Sequence, residues 1–190
     1  MEDKQFFAAI LAVDGIGRKT LRNVFKKLGE LDVSLEDFWQ QQPAQIWQLC
    51  KLNSKQQQGL RNFKKRFTPE SYIGWLDQKN ISVITSEDKR YPKLLKNIDD
   101  KPLILYVKGS LQGVNKRPIA VVGTRKISGY GRTVCKQLVP ELVASQATIV
   151  SGFMYGVDTC AHQQAVAHDG YTVGVLGYGF NHLYPAGNKK

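Results

Sequence analysis

Cysteine and histidine are scarce in this chain of 190 residues, which contains three of each. The cysteines are odd in number and widely spaced at Cys50, Cys135 and Cys160, a pattern that matches neither a disulfide framework nor a zinc site. The histidines, at positions 162, 168 and 182, have no ligand partners at metal-binding spacing. The sequence therefore predicts reduced thiols, no metal site and no cofactor.

Long apolar runs are also missing, although 42% of the residues are hydrophobic. No stretch approaches the roughly 20 apolar residues that are needed to cross a bilayer. The first residues, Met1 to Lys4, do not begin a secretory signal. We therefore expect a cytoplasmic protein with an ordinary globular core and no membrane partner.

Acidic residues are few relative to basic ones, with 16 Asp and Glu against 27 Lys and Arg, so the net charge is +11. Residues 1–118 contain 21 basic and 13 acidic side chains, whereas residues 119–190 contain 6 and 3. A basic excess of this size is expected of a protein that binds polyanions, and it would attract nucleic acid at low salt.

One stretch near the centre of the chain predicts a strand, a helix and a second strand. Residues 119–122 (IAVV) form a short β-branched run that ends at Gly123, and residues 148–150 (TIV), followed by Ser151-Gly152, repeat this pattern. Between them, apolar residues fall at helical spacing at positions 134, 138, 142 and 143. A right-handed crossover then places both turns at the carboxyl edge of one parallel sheet, where open α/β sheets bind ligands.

The two turns have the chemistry of a phosphate pocket. Gly123-Thr124-Arg125 and Ser151-Gly152 offer backbone amides, hydroxyls and one guanidinium whose fork fits a phosphate. For either turn alone, glycines that merely end strands are the simpler interpretation. The presence of both turns favours the pocket.

These residues resemble the signature of the DNA-processing protein A (DprA) family, also called Smf. The resemblance is ordered along the chain and extends from about residue 82 to residue 188. The matching motifs are Gly123-Thr124-Arg125, Ser128-Gly129-Tyr130-Gly131, residues 151–158 (SGFMYGVD), Ala161-His162, Gly177-Tyr178-Gly179, Tyr184-Pro185 and Asn188, preceded by residues 91–95 (YPKLL), residues 100–103 (DKPL) and Gly109.

The resemblance implies a non-enzymatic protein that binds single-stranded DNA through an extended Rossmann-like domain. It also implies that the protein protects the strand and helps to load the RecA recombinase in natural transformation or related recombination. The implied DNA or phosphate contacts are Gly123, Thr124, Arg125, Ser128, Tyr130, Gly131, Ser151, Gly152, Gly156 and Lys189. For Tyr130, packing under the loop is favoured over stacking on a base, and for Asp158 capping of the next helix is favoured over catalysis.

Family members continue beyond the position of Lys190 with further strands and helices that complete the sheet and help to form a dimer surface. The resemblance therefore predicts an incomplete sheet here, and it leaves a homodimer in doubt. Residues 153–155 (FMY) are also larger than is usual in the family motif, which would reshape the pocket.

The front of the chain predicts a small all-α domain over residues 1–69. Its first part (LAVDGIGRKTLRNVFKKLG) resembles a helix-hairpin-helix, a module that presents backbone amides to a DNA phosphate. Gly15, Gly17, Arg18 and Lys19 would then be its DNA contacts. A plain helical pair with a Gly-Ile-Gly turn is an equal alternative. The basic cluster at residues 64–66 is interpreted as a solvated helix face rather than as a site for single-stranded nucleic acid.

Residues 70–190 predict the Rossmann-like domain, a three-layer α/β parallel sheet. Two further strands, near residues 81–85 and 103–107, are expected to extend the main sheet. The alternative function is a nucleotide or phosphosugar enzyme of the phosphoribohydrolase type, but the PGGxGT turn of those proteins is missing. A scaffold without DNA affinity is a third possibility.

Overall fold

The structure is a computed structural model that describes residues 3–40, 44–182 and 184–189. The chain divides into two compact units, residues 1–110 and residues 111–190. None of the helices in the described ranges is both long and apolar enough to cross a bilayer.

The first unit is mainly helical, and its helix starts follow from local sequence. Asn53 and Gln56 form a reciprocal capping box at one helix start, and Thr68 and Ser71 form another just before Pro69. Its helices are α1 (Asp3–Leu11), α2 (Arg18–Leu31), α3 (Leu35–Gln40), α4 (Ala44–Leu49), α5 (Ser54–Lys64), α6 (Pro69–Asp77) and α7 (Lys93–Lys96).

Helix α1 packs at the centre of this unit against α2, α3 and α6. Three consecutive residues of α1, Ala8 to Ile10, are fully buried, and so are the larger side chains of Phe38 and Trp47. Short apolar helices can therefore be stable here because each of them buries one face against a shared core.

Two strands of the first unit pair with each other. β1 (Ile81–Thr85) and β2 (Ile104–Lys108) are antiparallel along their whole length, with Ile81 opposite Lys108 and Thr85 opposite Ile104. The expectation that they extend the main sheet is wrong for the described residues, because the two strands form a separate two-stranded sheet. Alternation in a short strand predicts a pleated face but does not identify the pairing partner.

The predicted domain boundary near residue 70 falls at the start of α6, inside the first compact unit. Helix α6 packs against α1 and β1 of the same unit. Whether residues 1–69 form a domain of their own therefore stays a prediction.

The second unit contains the predicted strand-helix-strand motif and a further strand. Its elements are β3 (Pro118–Ala120), α8 (Gly129–Ala144), β4 (Thr148–Ser151), α9 (Val157–Ala167) and β5 (Thr172–Gly174), followed by 3-10 turns at Phe180–His182 and Ala186–Lys189. The strands are parallel and lie in the order β3-β4-β5. The predicted α/β Rossmann-like class with a helical part is confirmed.

The core of the second unit lies between the sheet and its two helices. Val139 of α8, Ile149 of β4 and Ala161 of α9 are each fully buried in this cluster. The small residues Ala161 and Ala165 let α9 approach the strands closely, so that the loops at the strand ends are held on a rigid base.

Candidate functional site

The three parallel strands of the second unit end at the same edge of their sheet. Residues 121–128 follow β3, residues 152–156 follow β4 and residues 175–179 follow β5. We call residues 123–128 the first turn and residues 151–156 the second turn. Because this edge is where open parallel sheets bind ligands, the donors and charges of both turns decide which of them can hold an anion.

The two turns are in direct contact. Gly156 has a positive φ of 82°, and a Cβ at this position would lie 2.2 Å from the Thr124 carbonyl oxygen. The Val157 amide donates a hydrogen bond to the same oxygen at 3.1 Å. A Cβ on Gly123 would in turn lie 2.7 Å from the Val157 side chain. The glycines at positions 123 and 156 therefore let the turns approach each other, which is a packing role.

Arg125 is an exposed residue of the first turn. Its guanidinium makes no hydrogen bond or ion pair with any residue that the structure describes, and the ion pairs found among those residues all lie in the first unit. A guanidinium without a protein partner can offer its planar fork to a phosphate.

The start of helix α8 supplies further donors next to Arg125. The Ser128 hydroxyl oxygen caps the helix by accepting a hydrogen bond from the Gly131 amide at 3.1 Å. The amides of Gly129 and Tyr130 have no acceptor within the described ranges. Since α8 has 16 residues, its dipole adds partial positive charge at this end. The arrangement can bind an anion, although the Gly131 amide is already used by the cap.

Thr124 shapes the first turn from within. Its hydroxyl oxygen accepts a hydrogen bond from the Lys126 amide at 3.1 Å and lies 3.4 Å from the Lys126 carbonyl oxygen. Its own carbonyl oxygen accepts from Val157. Thr124 therefore holds the backbone in place around the exposed guanidinium of Arg125.

Tyr130 follows the cap and is 81% exposed. The expectation that its ring packs under the loop is therefore wrong. Cys135 and Val139 occupy the side of α8 that faces the core. Tyr130, the second residue of this helix, lies on the opposite side. The exposed ring is available to stack on a base.

Polar groups of the second turn are hydrogen-bonded to other atoms of the protein. Ser151 is buried, and its hydroxyl donates to the Val121 carbonyl oxygen at 2.6 Å. The buried Asp158 carboxylate accepts from the Met154 amide at 3.2 Å and lies 2.8 Å from where a Cβ on Gly152 would be. An anion placed at Gly152 would meet this negative charge.

The sequence predicts that Asp158 caps α9, and this prediction is wrong. Gly156 is the N-cap residue and provides no side-chain hydrogen bond, whereas the Asp158 carboxylate reaches back to the loop at Met154. The reason is that Asp158 lies two residues after the N-cap residue, inside the helix. Its side chain therefore points back over the preceding loop.

The signature around these turns matches a protein family. The model of DNA recombination-mediator protein A matches residues 82–190, which is more than half of the chain and includes both turns. The chain belongs to the DNA recombination-mediator protein A family. The predicted membership of the DprA/Smf family is therefore confirmed.

Curated DprA and Smf proteins are similar over much of this chain. The DNA processing protein DprA of Bacillus subtilis is 35% identical over 132 residues, which cover 68% of this chain and 44% of that protein. Protein Smf of Synechocystis is 29% identical, covering 99% of this chain and 47% of its own length. This chain thus spans less than half the length of these two relatives.

Two solved DprA structures are similar to the fold. The Streptococcus pneumoniae DprA structure has a TM-score of 0.71 at 24% identity and covers 97% of this chain and 62% of its own. A Helicobacter pylori DprA structure, described for the single-stranded DNA binding mode of that protein, has a TM-score of 0.50 at 28% identity, with coverage of 57% and 47%. The first of these likenesses concerns the fold alone.

In this DprA family member, two tyrosines at the carboxyl edge were missed by sequence reasoning. Tyr155 in the second turn is 46% exposed and Tyr184 is 53% exposed. Their rings meet edge to face with centroids 5.4 Å apart, and the Tyr178 hydroxyl donates to the Tyr184 carbonyl oxygen. In the sequence, Tyr155 is interpreted only as part of a segment that reshapes the pocket, and Tyr184 only as part of the family signature.

The last described residues are tied to the second turn. The Asn188 side-chain amide donates to the Phe153 carbonyl oxygen at 3.1 Å and to the Thr159 hydroxyl at 3.0 Å. Asn188 therefore anchors the 3-10 turn that contains Lys189, but the side chain of Lys189 lies outside the described part of the chain.

His162 is buried behind the second turn. Its Nδ1 lies 2.7 Å from the Thr172 hydroxyl, which itself donates to the Ile149 carbonyl oxygen, so Nδ1 carries the proton. Nε2 is buried without a partner among the described residues. Burial lowers the pKa of His162, and the Asp158 carboxylate partly opposes this shift. Within the described ranges, no group of three or more metal-ligating side chains occurs.

The predicted helix-hairpin-helix lies in the first unit, outside the family match. Gly15 has a φ of 82°, and its carbonyl oxygen accepts a hydrogen bond from the Gln56 side chain at 2.9 Å. Helix α2 begins after Gly17 without a side-chain cap, and Arg18 and Lys19 in its first turn are exposed. The structure shows two helices joined by this turn, which fits both a helix-hairpin-helix and a plain helical pair, so the contact with DNA stays a prediction.

Proposed function

We propose that this chain binds single-stranded DNA at the carboxyl edge of its parallel sheet, with the first turn as the phosphate site. The proposal rests on one observation: an exposed Arg125 and the amides of Gly129 and Tyr130 fall within six residues of the sequence, and none of these groups has a partner among the residues that the structure describes. Relatives named DNA processing protein and the basic composition of the chain support a nucleic-acid ligand.

In this proposal the residues of the first turn and of the start of α8 contact different parts of the ligand. Arg125 binds a phosphate with its fork, while the Ser128 hydroxyl and the amides of Gly129 and Tyr130 donate to the same or the next phosphate. The exposed Tyr130 ring stacks on a base. Lys189 is retained as a proposed second cationic contact on this edge.

The second turn supports the first turn and does not bind phosphate directly. Ser151 and Gly152 were expected to donate to the ligand, but the Ser151 proton is used and the Asp158 carboxylate lies beside Gly152. We therefore propose that Ser151 and Gly152 support the backbone of the first turn. Gly123 and Gly156 share this supporting role because they let the two turns lie close together.

Arg125→Ala tests the proposal. We expect it to weaken binding of an oligothymidylate by about 1 to 3 kcal/mol and to reduce the slope of log affinity against log salt by about 0.7 for each phosphate contact that is lost. Arg125→Lys keeps the charge without the fork and should recover only part of the affinity. Fluorescence anisotropy at several salt concentrations measures both quantities.

Lys136→Ala is the matched control, since it removes one exposed positive charge from the middle of α8. Its effect should be limited to the weak, salt-dependent loss of general charge. If Arg125→Ala behaves no differently from Lys136→Ala, Arg125 is not part of the site.

We also propose that the hairpin in the first unit contacts a DNA phosphate without reading bases. The support is the start of α2, where the exposed Arg18 and Lys19 accompany amides that no side chain caps. The double variant Arg18→Ala/Lys19→Ala should weaken binding uniformly across sequences. Equal affinity for the double variant and the unaltered chain would remove the hairpin from the interface.

The wider role that we propose is protection of single-stranded DNA and assistance in RecA loading, in an assembly that includes a homodimer. It is supported by membership of the recombination-mediator family. The chain should slow nuclease digestion of single-stranded DNA and shorten the lag of RecA filament assembly on it. A lag that is unchanged by the chain would limit the function to DNA binding.

A further inference from the structure

A continuous cluster of aromatic rings joins α5 and α6 in the first unit. Phe63 and Phe67 come from α5 and the segment after it, and Tyr72 and Trp75 come from α6. Neighbouring ring centroids are 5.2 to 5.9 Å apart, and the Tyr72 and Trp75 rings are nearly parallel, at 16°. We call these four rings, together with Arg66 and Lys79, the aromatic face.

These rings are not the core of the two helices. Leu60 of α5 and Leu76 of α6 are buried, at 0% and 3% exposure, whereas all four rings keep part of their surface accessible. The Trp75 indole N–H also has no acceptor among the residues that the structure describes. The cluster therefore presents partly accessible aromatic surface, and the Trp75 donor is unused among the described residues.

Two cations lie over rings of this cluster. Lys79 Nζ is 4.8 Å from the centroid of the Trp75 ring, and Arg66 Cζ is 5.7 Å from that of Phe67. Both cations are exposed and have no ion pair within the described ranges. Residues 61–79 contain five Lys or Arg against two Asp or Glu, so the surface has a net positive charge.

The prediction of a solvated helix face for residues 64–66 fits the exposed Lys65 and Arg66, whereas Lys64 is partly buried. Its ammonium group donates to the Trp39 carbonyl oxygen and lies 5.6 Å from the Trp39 ring, and burial lowers its pKa. Lys64 thus fixes the inner end of α5, while Arg66 and Lys79 stay exposed at the outer rings.

We propose that the aromatic face is a second contact for single-stranded nucleic acid. Arg66 and Lys79 leave the ring faces to pair with phosphates, and bases stack on Phe67 and Trp75 in their place. Alternating ring and cation chemistry fits a strand whose bases are exposed, whereas a duplex hides the base faces. An acidic peptide would need the charges but not the rings. The inference rests on the proposed function for its ligand class, but it uses residues of the other unit.

Tryptophan fluorescence provides a direct test, because the three tryptophans differ in exposure. Trp39 and Trp47 are 6% and 1% exposed, so Trp75 is the tryptophan that a ligand on this face would quench. An oligothymidylate of about 20 nucleotides should quench the emission of the full chain. The same quenching should occur with Arg125→Ala and should disappear with Trp75→Phe, which keeps a ring at the position.

A charge test complements the fluorescence test. Arg66→Ala/Lys79→Ala should weaken oligothymidylate binding by about fivefold or more in the Arg125→Ala background, since each stacked base and paired phosphate contributes to affinity. The matched control is Lys55→Ala, which removes an exposed positive charge from the start of α5 away from the rings. Circular dichroism shows whether each variant is folded.

The outcomes separate this inference from the phosphate site. Quenching that survives in Trp75→Phe, or a charge variant that binds as tightly as Lys55→Ala, would overturn the aromatic face. Quenching of Trp75 by polyglutamate to the same extent as by oligothymidylate would also overturn it. Failure of Arg125→Ala to change affinity, with Trp75 still quenched, would instead remove the proposed site on the sheet edge.

Discussion

The two turns at the carboxyl edge both follow a strand and both contain glycine and hydroxyl residues, but they differ in which polar groups are already hydrogen-bonded. Arg125 in the first turn and two amides at the start of α8 have no partner among the described residues. In contrast, the Ser151 hydroxyl of the second turn and the nearby Asp158 carboxylate of α9 are used in hydrogen bonds. Glycine and hydroxyl residues at a strand end therefore do not identify a binding turn. Whether its donors are already used is what separates a binding turn from a supporting one.

The comparison also explains why the turns must be adjacent. The second turn can support the first because Gly156 approaches the Thr124 carbonyl oxygen and Val157 donates to it. A rigid wall limits the movement of the backbone around Arg125, which lowers the entropic cost of holding its side chain against a ligand.

Gly156→Ala should produce the largest effect because it separates the turns. The φ of 82° is unfavourable for any other residue, and the new Cβ would lie 2.2 Å from a backbone oxygen. We expect a loss of at least about 3 kcal/mol of unfolding free energy, measured by urea denaturation. Gly177→Ala, where a Cβ meets nothing within 4 Å, should cost less than about 1 kcal/mol. Equal losses for the two variants would contradict the contact between the turns.

Asp158→Ala should remove the buried carboxylate that accepts a hydrogen bond from Met154 of the second turn. We expect a loss of about 2 kcal/mol of unfolding free energy, since the Met154 amide loses a charged acceptor. Affinity for single-stranded DNA should stay the same or rise if the protein remains folded. Glu141→Ala, an exposed acidic residue on α8, should leave stability nearly unchanged. A clear loss of DNA affinity per folded molecule would show that the second turn does more than support.

Two serine substitutions that should cost similar unfolding free energy test whether the first turn, and not the second, binds DNA. Ser151→Ala removes the hydrogen bond to Val121, and Ser128→Ala removes the cap of α8, so each should cost about 1 kcal/mol of unfolding free energy. Only Ser128→Ala should also weaken DNA binding in an anisotropy titration. The reverse result would exchange the roles that we assign to the two turns.

The smallest expected effect concerns pH and His162, a residue of α9 whose ring contacts Phe153 of the second turn. Because burial lowers the pKa of His162 below its usual 6.5, the folded chain binds this proton less readily than the unfolded chain. The unfolding free energy should therefore fall as the pH decreases below about 6.5. His162→Gln should reduce this dependence between pH 7.5 and 5.5, whereas the exposed His168→Gln should not. An unchanged slope in His162→Gln would show that the residue is not responsible.

Much of the fold was predictable because it depends on local patterns. The β-branched runs ended by glycine gave the positions of β3 and β4, and helical spacing located α8 between them. The pairing of β1 with β2 was not predictable, because a strand's alternation is compatible with several partners.

The site was predictable in part for the same reason. Residue types identified Arg125 and the two turns, but the used proton of Ser151, the exposure of Tyr130 and the aromatic face depend on distances between residues that are far apart or on side-chain direction. Composition and spacing contain no information about which hydrogen bonds are already made.

The sequence by itself determined the class of the fold and the family, because strand and helix periodicity and ordered motifs are local properties of the chain. It also predicted a ligand site at the carboxyl edge of the sheet. Only the tertiary structure decided which of the two turns keeps its donors. That choice depends on where Asp158 and the Val121 carbonyl oxygen lie once α9 and β3 have packed, since a buried polar group must be hydrogen-bonded by whichever neighbour the fold provides.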